Sequence, residues 1–167
     1  MATTDDPAAK LTLLERRRIE AAVLVPVIRA LQAEFGVEAV NRVVGNAIRE
    51  IARAQGAAER ERAASSGIEG VAERTRSGVL REGSLIADIV EQTPERFGFN
   101  VTRCKFKEMY EEMCAGDLGF LLSCNRDYAF FEGLAPDLAF ERTQTRMEGA
   151  DFCDFRYSAT KSAANPG

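Results

Sequence analysis

The chain contains no histidine among its 167 residues. That removes the usual side-chain base near neutral pH and the commonest metal ligand, so Ser-His-Asp and Cys-His mechanisms within one chain are excluded. Acid–base work is left to Asp, Glu, Cys, Lys, Tyr or water. Cysteine is sparse, and the four present form no C-x-x-C pair, which gives no sign of a zinc ribbon or a thioredoxin-type motif. No apolar stretch is long enough to span a bilayer. No basic excess is present either: the formal net charge is -4, and the arginines alternate with acids, which argues against a general nucleic-acid binder. Met1 to Pro7 lacks the basic and apolar blocks of a signal peptide, so a cytoplasmic protein with reduced thiols, no membrane partner and no nucleic-acid partner is expected.

What is present suits one globular domain over residues 1–167. Hydrophobic residues make up 46% and charged residues 29%, enough for a core and a charged surface. Residues 1–95 read as helical. Leu11, Leu14, Ile19, Val23 and Val27 can share one helix face, with Pro26 expected to kink the helix or divide it. Gly36 is a helix stop. Val37, Val40, Val44, Ile48 and Ile51 form a second helical stripe, which Ser65 to Gly67 ends. A third helix is expected over Ile68–Val90, weakened by Gly78 and Gly83. Residues 96–160 change character. Phe97 to Cys104 alternates like a strand, and Phe106 to Met113 reads as a short helix. Leu138 to Met147 and Cys153 to Thr160 read as an antiparallel hairpin turned at Glu148 to Asp151. Residues 161–167 are expected to be a loose tail. The expected fold class is α+β, an N-terminal helical layer packed on a C-terminal antiparallel sheet with a short helix. The apolar helix stripes exceed what a small sheet needs to cover, so a homo-oligomer is expected.

Three blocks set a cysteine among charges: Thr102 to Lys105, Ser123 to Asp127, and Glu148 to Arg156. A cationic neighbour can stabilise a thiolate, which makes Cys104, Cys124 and Cys153 candidate nucleophiles or metal ligands. Cys114 has no such surroundings and reads as a small buried hydrophobe. Asp127, Glu148 and Asp154 are the acid–base candidates, with Glu132 a weaker one. Arg103, Arg126 and Arg156 can grip a substrate carboxylate with two parallel hydrogen bonds, helped by Asn125, or can equally pair with the nearby acids. Tyr128, Phe130 and Phe131 are core residues or the wall of a small pocket.

The blocks Asn100 to Cys104, Leu122 to Ala129, Glu132-Gly133, Arg142 to Thr145 and Met147 to Tyr157, taken together, resemble the L-2-amino-thiazoline-4-carboxylic acid hydrolase family. The resemblance spans Phe97 to Tyr157. It implies hydrolytic opening of a small carboxylated cyclic amidine at a C–N bond, giving a carbamoyl amino acid. The ring carbon between nitrogen and sulfur is electrophilic, so a thiolate or an activated water can attack it while a carboxylic acid protonates the leaving heteroatom. One position departs from the pattern: Phe152 stands where the family often has histidine before the last cysteine, which puts the substrate in question. No cofactor is specified. Three cysteines and a carboxylate are suitable donors for zinc, and cysteines also hold haem or iron–sulfur groups. The reading from a different class is a sensing or binding module that holds the same kind of acidic small molecule without turnover.

Overall fold

The computed structural model describes residues 11–160; the expected tail at 161–167 lies outside them. Six α-helices and four strands follow one another: α1 Leu13–Phe35, α2 Val37–Arg60, α3 Gly67–Thr75, β1 Leu85–Gln92, β2 Arg96–Cys104, α4 Lys105–Glu112, α5 Gly116–Gly119, α6 Arg126–Leu134, β3 Leu138–Glu141 and β4 Cys153–Ala159. The fold is α+β as expected. The strands form one antiparallel sheet in the order β1-β2-β4-β3.

Thr12 starts α1 with a capping box, accepting from the Glu15 amide while the Glu15 carboxylate accepts from the Thr12 amide, so two of the orphan donors at the helix start are satisfied. Pro26 does not divide this helix; α1 continues through it from Leu13 to Phe35. Proline removes the hydrogen bond to the Ala22 carbonyl, but Ala22 and Pro26 are both exposed, so water can take that carbonyl. The buried face of α1 is also not the predicted one. Ala21, Ile28 and Gln32 face inward, while Leu11, Ile19, Val23 and Val27 are exposed.

The predicted third helix is half strand. Gly78 leaves helical geometry (φ −98°, ψ −111°) within the π-helical turn Arg76–Leu80, and Gly83 sits at φ +68°, where a side chain would be strained. Beyond it the β-branched run around Ile86, Ile89 and Val90 joins the sheet as β1.

Alternation along β2 and β4 sends Phe97, Phe99, Val101, Cys153, Phe155 and Tyr157 to one face, where Ile68, Val71 and Ala72 of α3 and Phe131 and Ala135 beside α6 cover them. Phe99 stacks on Phe155 with centroids 4.7 Å apart, and Phe140 on Tyr157 at 4.9 Å. A second core joins α1, α2, α4 and α5 through Ile28, Val40, Ile48, Met109, Tyr110 and Leu118. The helices α2 and α6 bind the two cores together. A Cβ on Gly56 would lie 2.0 Å from the Phe130 carbonyl oxygen, and one on Gly133 2.2 Å from that of Arg53. Only glycine lets the two backbones meet. Gly56→Ala is therefore expected to cost about 3 kcal/mol, near the top of the range for overpacking; the midpoint of urea unfolding measures it.

The hairpin prediction holds for β3 and β4, but β3 stops at Glu141 rather than continuing to Met147. The Tyr128 hydroxyl donates to the Arg142 carbonyl (2.7 Å) and accepts from the Arg142 amide (3.0 Å). Asp154 accepts from the amides of Thr143 (3.0 Å) and Gln144 (2.9 Å). These side chains take the groups a longer strand would have used, and the segment becomes a fixed loop.

Candidate functional site

Two of the candidate residues, Arg126 and Asp127, open α6. Asp127, in its first turn, pairs with Arg142 at the end of β3. The Arg142 side chain is only 2% exposed, donates to the Cys124 carbonyl (3.1 Å), and lies over the rings of Phe155 and Tyr128. Burial pushes the Asp127 carboxyl above the usual carboxylate range, and the charge and hydrogen bond of Arg142 pull against that rise. The result is a half-buried carboxylate, more basic than an exposed one and held in one orientation.

Cys104, Cys124 and Cys153 surround this pair closely enough for each to feel the charge of Asp127, and Cys124 that of both other thiols. The sequence blocks thus meet in space, although they come from β2, the turn before α6, and β4. Their thiols are not activated. Burial raises Cys104 to about 11, against a smaller lowering from the amides of Lys107 and Phe106 at the start of α4. Burial also raises Cys124 and Cys153, and the amide of Arg146, donating to the Cys153 sulfur (3.2 Å), offsets only part of the latter. A helix N-terminus alone would favour a thiolate at Cys104; here desolvation wins. All four cysteines are free, and Cys114 is exposed rather than buried, with φ at +53°. Among the described residues no cluster of three or more Cys, Asp or Glu is arranged to hold a metal ion.

The raised thiols make a pH prediction. In the unfolded chain they ionise near the ordinary value of 9.0, and folded Cys104 near 11. Both states are neutral below the lower value, so no stability is lost there. Above it the unfolded chain releases protons that the folded chain retains, and stability falls. Burial raises Tyr110 to about 12 and pushes Tyr157 well above its ordinary value, in the same direction. Urea unfolding across the alkaline range is expected to show constant stability up to pH 8 or so and a steady decline from about 9 to about 11.

Arg126 precedes Asp127 and reaches α2. It is 7% exposed and donates to the side-chain oxygen of Gln55. Among the described residues it has no carboxylate partner. The nearest charges that reach it, after the desolvation that lowers its pKa, are Arg17, Glu20 and Asp127, with the Tyr110 phenol close by. Arg17 is paired with Glu20 (2.5 Å). A buried guanidinium with one neutral partner is costly unless an anion completes it. Gln55 itself is exposed.

A buried polar atom without a partner lies on the sheet side. The Tyr157 hydroxyl is fully buried and has no hydrogen-bond partner among the described residues, within reach of the charges of Asp127, Arg74 and Arg142. Its ring is walled by Phe97, Phe131 and Phe140. Buried hydroxyls without a partner are rare, and they mark places where a ligand or water supplies the missing bond.

Other nominated residues serve the fold. Asp154 and Arg156 flank Cys153 and Phe155 on β4 and so face the opposite side of the sheet. Burial pushes Asp154 up, but hydrogen bonds from Thr143 and Gln144 outweigh it and hold its carboxyl below the ordinary value. Arg156 donates to Asn100 (2.7 Å) across the strand pair. Arg103 is tied to Glu108 at the surface (2.7 Å), and Glu132 to Arg53 (2.6 Å). Glu148 accepts from the Thr145 hydroxyl (2.8 Å) in a small cap. Asn125 donates to the Gly45 carbonyl (3.0 Å) and joins α6 to α2. Arg142, Tyr110, Gln55 and Tyr157 were not nominated. Arg142 and Tyr157 had a signal, since one opens the Arg142-to-Thr145 block and the other closes the Met147-to-Tyr157 block; Tyr110 and Gln55 had none. A cleft of about 320 Å³ between the ends of α2, α3 and α6 contains none of the nominated residues. Its Arg60, Arg62 and Arg74 are balanced by Glu59, Glu73 and Asp137, so it has no preference for an anion.

The profile of the L-2-amino-thiazoline-4-carboxylic acid hydrolase family matches residues 16–157. The chain belongs to this family. The match takes in the helical half as well as the cysteine-bearing half, so α1, α2 and α6 are part of the family fold. No curated protein matches the chain. Among solved structures, the crystal structure of the phenol-responsive sensory domain of the transcription activator PoxR with phenol is similar at a TM-score of 0.52 and 9% identity, over 89% of this chain and 76% of that one. At that identity the likeness is one of fold. Among the described residues no helix is long and apolar enough to cross a membrane.

Proposed function

We propose that this member of the hydrolase family opens a small carboxylated cyclic amidine, with Arg126 holding the carboxylate and Asp127 moving the proton. The observation that carries the reading is the buried Arg126 guanidinium without a carboxylate partner, one residue from a carboxylate whose burial makes it a stronger base. The family's printed substrate is a carboxylic acid on a thiazoline ring, and a buried cation with no carboxylate partner among the described residues fits that charge.

In this reading Asp127 takes a proton from water, which adds to the ring carbon between nitrogen and sulfur. The bond from that carbon to sulfur then breaks, Asp127 returns the proton to the departing sulfur, and the carbon stays on nitrogen as the carbamoyl group. Arg142 keeps the carboxylate oriented. The neutral thiols of Cys104, Cys124 and Cys153 line the site without acting as nucleophiles, because burial holds them protonated at neutral pH.

The test is turnover of L-2-amino-thiazoline-4-carboxylate, followed by mass spectrometry of the ring-opened carbamoyl amino acid. The expected result is product with the native chain, with rates within about tenfold for Cys124→Ala and at least a hundredfold lower for Asp127→Asn, the usual worth of a general acid–base. Loss of all turnover in Cys124→Ala with binding intact would return the chemistry to the thiol.

A second reading has its own support. The sensory-domain fold and the unsatisfied Tyr157 hydroxyl suit a module that binds an acidic ring and releases it unchanged. Tight binding of the heterocycle with the ring intact after long incubation selects that reading.

A further inference from the structure

Helix α1 is apolar on two sides. Its inner side packs Ala21 and Ile28 into the helical core. On its outer side Ile19, Val23, Val27, Leu31 and Phe35 follow one another at four-residue spacing, each between 38% and 64% exposed. Val37, just past Gly36, extends the patch. Such a row is one continuous ridge along a helix of 23 residues, about 35 Å long. Monomeric proteins rarely leave so large an apolar strip in water.

The geometry points to a second copy of this chain as the occupant, with two α1 helices packed antiparallel about a twofold axis near Val25. That register sets Ile19 opposite Leu31 and Val23 opposite Val27. It also sets Arg16 opposite Glu34, twice. Both residues are exposed, and among the described residues neither has an ion-pair partner in its own chain. Between Arg16 and Glu34 the outer face is thus self-complementary in charge and apolar pattern when reversed on itself. A parallel pair would place Arg16, Arg17 and Arg18 against their own copies, and like charges repel. The proposal does not depend on the hydrolase reading, since none of these side chains touches the Arg126–Asp127 site.

Sedimentation equilibrium of the full chain tests it. The expected mass is twice the 18.3 kDa of one chain. The variant Val23→Asp/Val27→Asp is expected to sediment as a monomer with unchanged helical circular dichroism, because both positions are exposed in the single chain. Arg16→Glu alone and Glu34→Arg alone are each expected to weaken the dimer roughly tenfold, a value typical of two surface pairs turned repulsive. The double exchange restores it. A monomeric native chain overturns the proposal, as does a dimer that survives both aspartates. Failure of the double exchange to restore association overturns the antiparallel register, and this arm stands even if the aspartate variant fails to fold.

Discussion

Arg126→Met is expected to leave the ligand-free chain more stable while removing its ability to hold a carboxylated ligand. A side chain kept for packing would lose stability on truncation, and the opposite sign separates function from fold. The guanidinium is buried against α2 with the Gln55 amide as its hydrogen-bond partner, and desolvation together with Arg17 lowers its pKa. Methionine fills similar length without a charge to bury, and Gln55, being exposed, can turn to water. Replacing buried charge with packed apolar atoms gains about 1–2 kcal/mol in such settings. Binding moves the other way. A charge-assisted two-pronged contact in a site shielded from water is worth enough that its loss should lower kcat/KM at least a hundredfold for a carboxylated ring. For the same ring carrying a neutral carboxamide the change should be small. Thermal unfolding and paired kinetics on the two ligands measure both halves, and a destabilised Arg126→Met with unaltered carboxylate discrimination would count against the anchor.

Asp127→Asn is expected to fail on both counts. Arg142 is the buried member of that pair, and its charge is fixed in place by the Cys124 carbonyl and by two aromatic rings. Removing the carboxylate leaves a buried cation with no counter-charge, which costs about 3–5 kcal/mol when both partners are enclosed. Asp127 is itself a third exposed, so the lower end, about 3 kcal/mol, is the expected loss. Urea unfolding gives that value, while single-turnover kinetics at a temperature where the variant is folded should show the loss in the chemical step. Arg142→Met/Asp127→Asn should recover much of the stability, since no bare charge remains, but none of the activity. If the double variant is no more stable than Asp127→Asn, the penalty does not come from the orphaned cation.

Local pattern made β2, α4 and β4 legible. Phe97 to Val101 and Cys153 to Tyr157 alternate because one sheet face is buried, and a two-residue period is visible without any partner. The same period also contained a warning: Cys153 and Asp154 are adjacent on a strand, so their side chains leave opposite faces of the sheet. β1 was hidden because Leu85 to Val90 is apolar on both faces at an edge, so its run matches a helix as well as a strand. The unbroken α1 depends on where solvent lies relative to Ala22, which no local rule contains. In the site, Cys104, Cys124, Cys153, Arg126 and Asp127 could be nominated from their neighbours in the chain. That Asp127 takes Arg142 and that Arg126 takes only Gln55 are consequences of α2, α6 and β3 meeting, and the meeting itself rests on Gly56 and Gly133.

The central claim is that Arg126 receives the carboxylate of the ligand, and a crystal structure of the native chain with L-2-amino-thiazoline-4-carboxylate, or with an unreactive carboxylated analogue of it, tests it most directly. The account predicts the carboxylate within hydrogen-bond distance of the Arg126 guanidinium, with the ring carbon turned toward Asp127. A carboxylate seated in the cleft by Arg60, or at the surface on Arg103, with Arg126 still bonded only to Gln55, would contradict it.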